Sequence, residues 1–227
     1  LVQYATTGSN LSYNTSANTT IGSEWPAAGS SPPENVEITI TGGGTLSSSG
    51  ALSRTISQDL NLNVGTLNFG AGTLTVAGTV AGSEITGSAV INDATTLLIG
   101  NGSTGNTNGQ TITGSLKLNK LAVDKRNGTN EADSTVTLSG IITFTANGSF
   151  TVTQGVFDFN APGALAGEGL PSLDLTIGSN GVIKTGGTTL TGIGTTTGTI
   201  NTANGKIVFD GSSNTETMPA WTLSRLE

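Results

Sequence analysis

The chain contains neither cysteine nor histidine. Those two absences remove disulfides, thiol nucleophiles, imidazole metal ligands and every catalytic triad built on histidine. They do not by themselves assign a redox compartment. Charge is scarce as well: 10% of the 227 residues are charged, where soluble domains usually carry about 25%. The eight Lys and Arg are scattered against fifteen Asp and Glu, for a net charge of −7. There is thus no basic footprint for nucleic acid or anionic lipid, and neither is expected as a partner. No apolar run approaches the roughly 18 residues of a membrane-spanning helix, so no membrane insertion is expected. Aromatic residues make up 4%, too few for the large rings that commonly fill a β-sandwich core. There is no starting Met, and Leu1 reads as a processed or trimmed end.

What the chain does have is glycine, 34 residues of it, in a recurring phrase. Gly, any residue, an apolar residue, any residue and another apolar residue occur as Gly65–Phe69, Gly72–Val76, Gly114–Leu118, Gly148–Val152, Gly155–Phe159 and Gly205–Phe209. Glycine turns the chain, and two apolar side chains two apart point to one face of a short strand. Elsewhere the alternation continues, as in Val36, Ile38 and Ile40 or Leu60, Leu62 and Val64. The period is two rather than 3.6, and glycine is too frequent for any long helical window.

Two all-β architectures fit. Asn147-Gly148, Asn180-Gly181 and Asn204-Gly205 are good hairpin turns, which would suit an antiparallel β-sandwich. Short strands, few aromatics and unbroken strand-plus-turn recurrence favour instead a parallel β-helix, or solenoid. The phrase repeats after about seven residues, so three units predict a coil of roughly 20 residues. That makes about nine or ten coils and a rod about 45 Å long. Residues 1–34, rich in Ser, Thr and Asn, read as an irregular N-terminal cap with Trp25 as lid. Residues 35–227 read as the β-helix, continuing beyond 227 in the full-length protein. Phe69, Phe144, Phe150, Phe157, Phe159 and Phe209 are expected inside. The excursion Asn101–Gly109 and the charged run Asp124–Asp133 are expected to be loops, the latter solvated.

The candidates for chemistry are few. Asp158, Asp174 and Asp210 could converge as polysaccharide-cleaving carboxylates, but each lies beside inward apolar residues and no Lys or Arg accompanies them at a plausible coil offset. The plainer expectation is solvated outward carboxylates. Gly42-Gly43-Gly44 lacks the Asp of a calcium β-roll, so no metal and no cofactor is expected. Thr73/Thr75, Thr111/Thr113, Thr135/Thr137, Thr143/Thr145 and Thr151/Thr153 would form a ligand-binding ladder only if they stacked on one face. Asn10, Asn14, Asn18, Asn101, Asn127 and Asn147 begin glycosylation sequons. The C-terminus offers an assembly edge at Leu223 and Leu226. Leu223-Ser224-Arg225 matches Leu118-Asn119-Lys120, and further repeats or like subunits stacked end to end are the expected partners there.

Trp25-Pro26, the Gly29–Pro33 loop and Glu34–Ile40 (ENVEITI) together resemble the opening of extracellular β-strand-repeat proteins of Bacteroidetes-like bacteria. Leu118–Lys125, Thr135–Gly140, Gly148–Phe159 and Gly205–Gly211 are similar to the recurring phrases of that family. The resemblance implies a right-handed parallel β-helix, secreted across the outer membrane as type IX secretion cargo. It would serve as a non-catalytic stalk, coat or adhesin at the cell surface. The secretion machinery would then be a partner, and surface glycans a second. A glycan-binding module and a polysaccharide-cleaving β-helix enzyme are the alternatives.

Overall fold

The computed structural model describes residues 8–27, 31–79, 82–102, 108–125, 134–159, 164–167, 173–185, 200–201 and 205–209. The expected Phe209 side chain, Asp210, Asn127 and the Leu223 and Leu226 edge lie outside what is described. The opening coil supplies β1 (Asn10–Thr15) and β2 (Thr19–Thr20). The next supplies β3 (Asn35–Ile40), β4 (Thr45–Ser47) and β5 (Arg54–Ile56), and the third β6 (Asp59–Val64), β7 (Thr66–Asn68) and β8 (Thr73–Val76). Later strands run through the corners: β9 (Ser83–Ile91), β10 (Thr96–Gly100), β11 (Gln110–Ile112), β12 (Ser115–Asp124), β13 (Thr135–Leu138) and β14 (Ile141–Phe159). β15 (Ala164–Gly167), β16 (Leu173–Thr185), β17 (Ile200–Asn201) and β18 (Lys206–Phe209) are the last of the described strands.

Every strand pairing among the described residues is parallel, and the pairings sort into three faces. The first face stacks β1, β3, β6, the start of β9, β11, β13, the ends of β14 and β16, and β18. The second stacks β2, β4, β7, the end of β9, the starts of β12 and β14, and β15. The third stacks β5, β8, β10, the end of β12, the middle of β14, the start of β16, and β17. This is a three-sided parallel β-solenoid of about six turns, not a sandwich. The Asn147-Gly148 and Asn180-Gly181 steps are corners between faces rather than hairpins, and Asn147 is, among the described residues, the non-glycine residue held at positive φ.

The interior is built from columns, one side chain per coil. On the third face Ile56, Val76, Ile99, Val123, Val152 and Ile177 stack in register, all buried. On the first, Val36, Leu60, Ile85, Ile112, Leu138 and Phe159 do the same. A single coil carries a phenylalanine from each face: Phe144, Phe150, Phe157 and Phe159 touch in sequence, with ring centroids 6.1, 4.9 and 5.0 Å apart. These four and Phe69 are buried as expected.

The glycine phrases mark the corners on all three edges. A Cβ on Gly140 would lie 2.0 Å from the carbonyl oxygen of Gly114, and one on Gly114 would lie 2.4 Å from that of Gly87. Neighbouring coils therefore meet backbone to backbone at this corner, which only glycine permits.

Two expectations need correction. The coil is longer than roughly 20 residues: along the third face the register advances by 20 to 30 positions per turn. The seven-residue unit holds locally, but several corners between the third and first faces carry extra residues. The ladder also begins earlier than residue 35. β1 and β2, inside the segment expected as an irregular cap, pair in parallel with β3 and β4. Only the stretch from Ile21 to Glu34 lacks strands among its described residues.

Candidate functional site

The parallel register places the candidate carboxylates apart. Asp158 is on the first face, between Thr137 and Lys184. Asp174 is on the third face, beside Ser149. They do not converge. The expectation that no Lys stands at a coil offset from these acids is corrected by Lys184, which occupies the register position next to Asp158. Among the described residues no three of His, Cys, Asp or Glu stand together as a metal site.

The Thr pairs are divided among the faces. Thr73/Thr75 and Thr151 are on the third face, and Thr111 and Thr137 on the first. Thr143 is on the second. The central outward rank of the third face reads Thr55, Thr75, Leu98, Ala122, Thr151, Thr176, so Leu98 and Ala122 interrupt it. Three of the sequon asparagines, Asn10, Asn14 and Asn18, are exposed on the opening coil. The amide oxygen of Asn10 accepts from Asn35 Nδ2 at 2.8 Å, and that of Asn18 accepts from Thr45 N at 2.9 Å.

Sequence reasoning missed the buried polar groups. Lys125, expected in a solvated loop, is fully buried. Its Nζ donates to the carbonyl of Asn108, and burial lowers its pKa to about 8. Gly100 and Gly155 make the room: a Cβ on either would meet the Lys125 side chain below 3.0 Å. Gln110 is buried with its Nε2 donating to Val76 O at 3.2 Å, while its Oε1 has no partner. At the N-terminal end Arg54 points inward. Glu24 is pushed up by burial, but hydrogen bonds from the Gly22 and Glu24 N–H groups and the Tyr13 hydroxyl, with the charge of Arg54, hold it below the ordinary glutamate value.

The second face differs from the other two. Among the described residues the exposed large hydrophobics are Val64 (40%), Val90 (38%) and Ile141 (45%). Val90 and Ile141 point outward from this face, and Val64 ends the strand that turns into it. Val64 and Val90 line a groove of about 360 Å³ whose walls include Gly65, Ser88, Ser115 and Lys117. No strand residue of this face is acidic among those described. The first face presents Glu37, Asp59, Glu84 and Asp158, and the third presents Asp174 with Asp124 at its edge.

Comparison of the chain with family models, with curated proteins and with solved structures found no match.

Proposed function

We propose that this chain is a non-catalytic structural or adhesive element, a segment of a stalk, coat or filament at a bacterial cell surface. The observation that carries the reading is the separation of Asp158 and Asp174 onto different faces. Around them the coils are spent mainly on apolar columns, such as that of Ile56, Val76, Ile99, Val123, Val152 and Ile177, which give a stiff, extended body whose neighbours support one another. Secretion by the type IX route follows from the resemblance of the Trp25–Ile40 stretch and belongs to the same proposal.

The test is a turnover screen on acidic and neutral polysaccharides with the wild-type chain, Asp158→Asn and Asp174→Asn, beside labelling of intact cells of the source bacterium with an antibody to this chain. The reading expects no turnover and labelled cells. Turnover lost in either variant would replace it with a polysaccharide-cleaving enzyme. The glycan-binding alternative draws on the outward rank of the first face, where Asn35, Asp59, Glu84 and Thr111 follow one another in register. Specific retention on a glycan array, lost in Glu84→Ala, would favour it.

A further inference from the structure

We propose that the turn 21–27 is an acid-released plug, held on the N-terminal end of the third face by the Glu24 carboxylate acting on Arg54. The observation that carries it is where Arg54 stands. The inward column of the third face reads Arg54, Leu74, Leu97, Leu121, Phe150 and Leu175 in register. The later members are apolar and buried, and Arg54 itself is only 5% exposed. A leucine at its place would continue the column, and a packed apolar residue in place of a buried charge is often the more stable choice. Arg54 instead sets a permanent charge beneath the plug. Its Nη1 donates to Ser53 O at 3.1 Å, while its Nε is closed to solvent without a hydrogen-bond partner. A charge so placed needs a counter-charge nearby.

Glu24 supplies it from the turn. Ile21 N bonds to Ser47 O at 2.8 Å, which starts the turn at the end of β4. Within the turn Glu24 Oε1 accepts from Gly22 N at 2.8 Å, and from β1 the Tyr13 hydroxyl donates to the same oxygen at 2.9 Å. From β5 the charge of Arg54 acts on this carboxylate. The next residue, Trp25, bonds to Thr55 O, directly after Arg54 in the chain. One carboxylate thus ties the turn to β1 and β5 together. Glu34, further along the same stretch, is engaged elsewhere and accepts from Gly8 N.

Burial works against the charge of Glu24, but the Gly22 and Glu24 N–H groups, the Tyr13 hydroxyl and Arg54 outweigh it and hold the carboxyl below its ordinary 4.5. Its contribution to closure is therefore complete above that ordinary value and is lost as pH falls through the folded one. The guanidinium does not titrate, so protonation of Glu24 leaves Arg54 charged and uncompensated. Lifting the turn lets water reach it. The same movement takes Trp25 off Thr55 and bares the backbone edge of β5, which closure protects.

The test uses the full chain with Trp221→Phe, which leaves Trp25 as its one tryptophan. Between pH 7 and 2.5 the Trp25 emission is expected to shift to the red while the circular dichroism of the ladder persists. Arg54→Leu, which matches its column neighbours, removes the need for a counter-charge and should abolish the shift. At pH 7 the amides of residues 22–27 should exchange hydrogen about tenfold faster in Glu24→Gln than in the parent chain, because a buried charge has lost its partner. Adding Arg54→Leu to Glu24→Gln should restore slow exchange, and Glu34→Gln alone should change neither readout. Emission that stays constant down to pH 2.5 overturns the proposal. So does a shift that Arg54→Leu leaves in place or that coincides with loss of the whole ladder, a Glu24→Gln chain that exchanges like the parent, or the same effects from Glu34→Gln.

Discussion

Trp25 donates its indole N–H to the backbone carbonyl of Thr55, 30 residues further on, at 3.2 Å. Thr55 is the middle residue of β5, the opening strand of the third face, and no strand precedes β5 there among the described residues. The described residues 21–27 and 31–34 take that place. Ser57 N bonds to Pro33 O and Gln58 N to Glu34 O, each near 3 Å. The buried Trp25 ring lies 6.1 Å from Tyr13 and 5.7 Å from Phe69. One side chain thus supplies both the missing hydrogen bond and the missing apolar layer at an edge that would otherwise pair with another chain.

Trp25 therefore has two separable contributions. Trp25→Phe keeps most of the filling and loses the donor, and should cost about 1–2 kcal/mol. Trp25→Ala loses both and should cost about 3–5 kcal/mol. Urea denaturation followed by circular dichroism separates the two. Equal costs would mean that the filling contributes nothing, contrary to its burial.

Phe157 sits at the centre of the phenylalanine coil, in edge contact with Phe150 at 4.9 Å and Phe159 at 5.0 Å. Phe157→Ala should destabilise by about 3–5 kcal/mol. Thr151→Ala, at a half-buried outward position of the same strand, should stay within about 0.5 kcal/mol. Chemical denaturation of both variants checks the assignment of inside and outside, which fails if their costs are similar.

The two kinds of glycine should respond differently to alanine. At Gly140 the new methyl meets the Gly114 carbonyl oxygen at 2.0 Å and has only backbone around it. Gly43 has φ of +76° with nothing within 4 Å. Gly43→Ala should cost about 1–2 kcal/mol, the conformational penalty alone. Gly140→Ala should cost clearly more, since two coils must separate to relieve the contact. Thermal melting of the two variants ranks them; the reverse order would contradict the tight corner.

Lys125 makes stability depend on pH. Its folded pKa, about 8, lies below the ordinary lysine value near 10.4, so between the two the unfolded chain binds more protons. Stability therefore rises as pH increases through this window, and the protonated amine is a liability below it. Lys125→Met, similar in length and without charge, should remove a rise on the order of 1–2 kcal/mol between pH 7 and 10. Urea midpoints of both proteins at several pH values check it. A wild-type slope that persists in Lys125→Met would assign the effect to another group.

Most strands, their parity and their corners were legible because each is a local property; Val64, which continues the alternation of Leu60 and Leu62, is exposed because the register shifts there. An apolar residue at every second position and a glycine ahead of each phrase state which side chains go in and where the chain turns. Phe144, Phe150, Phe157 and Phe159 could be placed inside on that basis. The opening coil was harder. Leu11 and Tyr13 alternate as they should, but the Ser, Thr and Asn around them carry the composition of a loop. Only pairing with β3 shows β1 to be a strand.

Register was not legible. Leu52-Ser53-Arg54 and Leu118-Asn119-Lys120 look alike as phrases. Yet the ladder puts Arg54 in the inward column of Leu74, Leu97 and Leu121, while Lys120 stands one position earlier and faces out. A slip of one residue exchanges inside for outside. Lys125 went unrecognised for the same reason. Its space is made by Gly100 and Gly155, 25 and 30 positions away, and nothing beside it in the chain announces them.

By itself, then, the sequence determined an all-β chain of short strands with glycine corners, because period two and turn chemistry act over a few neighbouring residues. The tertiary structure alone decided the coil length, the company that Asp158 and Asp174 keep, and the gathering of Val64, Val90 and Ile141 around one face. Those depend on contacts between residues 20 to 30 positions apart. Corner lengths accumulate over that distance, and the packing of one coil on the next selects the register.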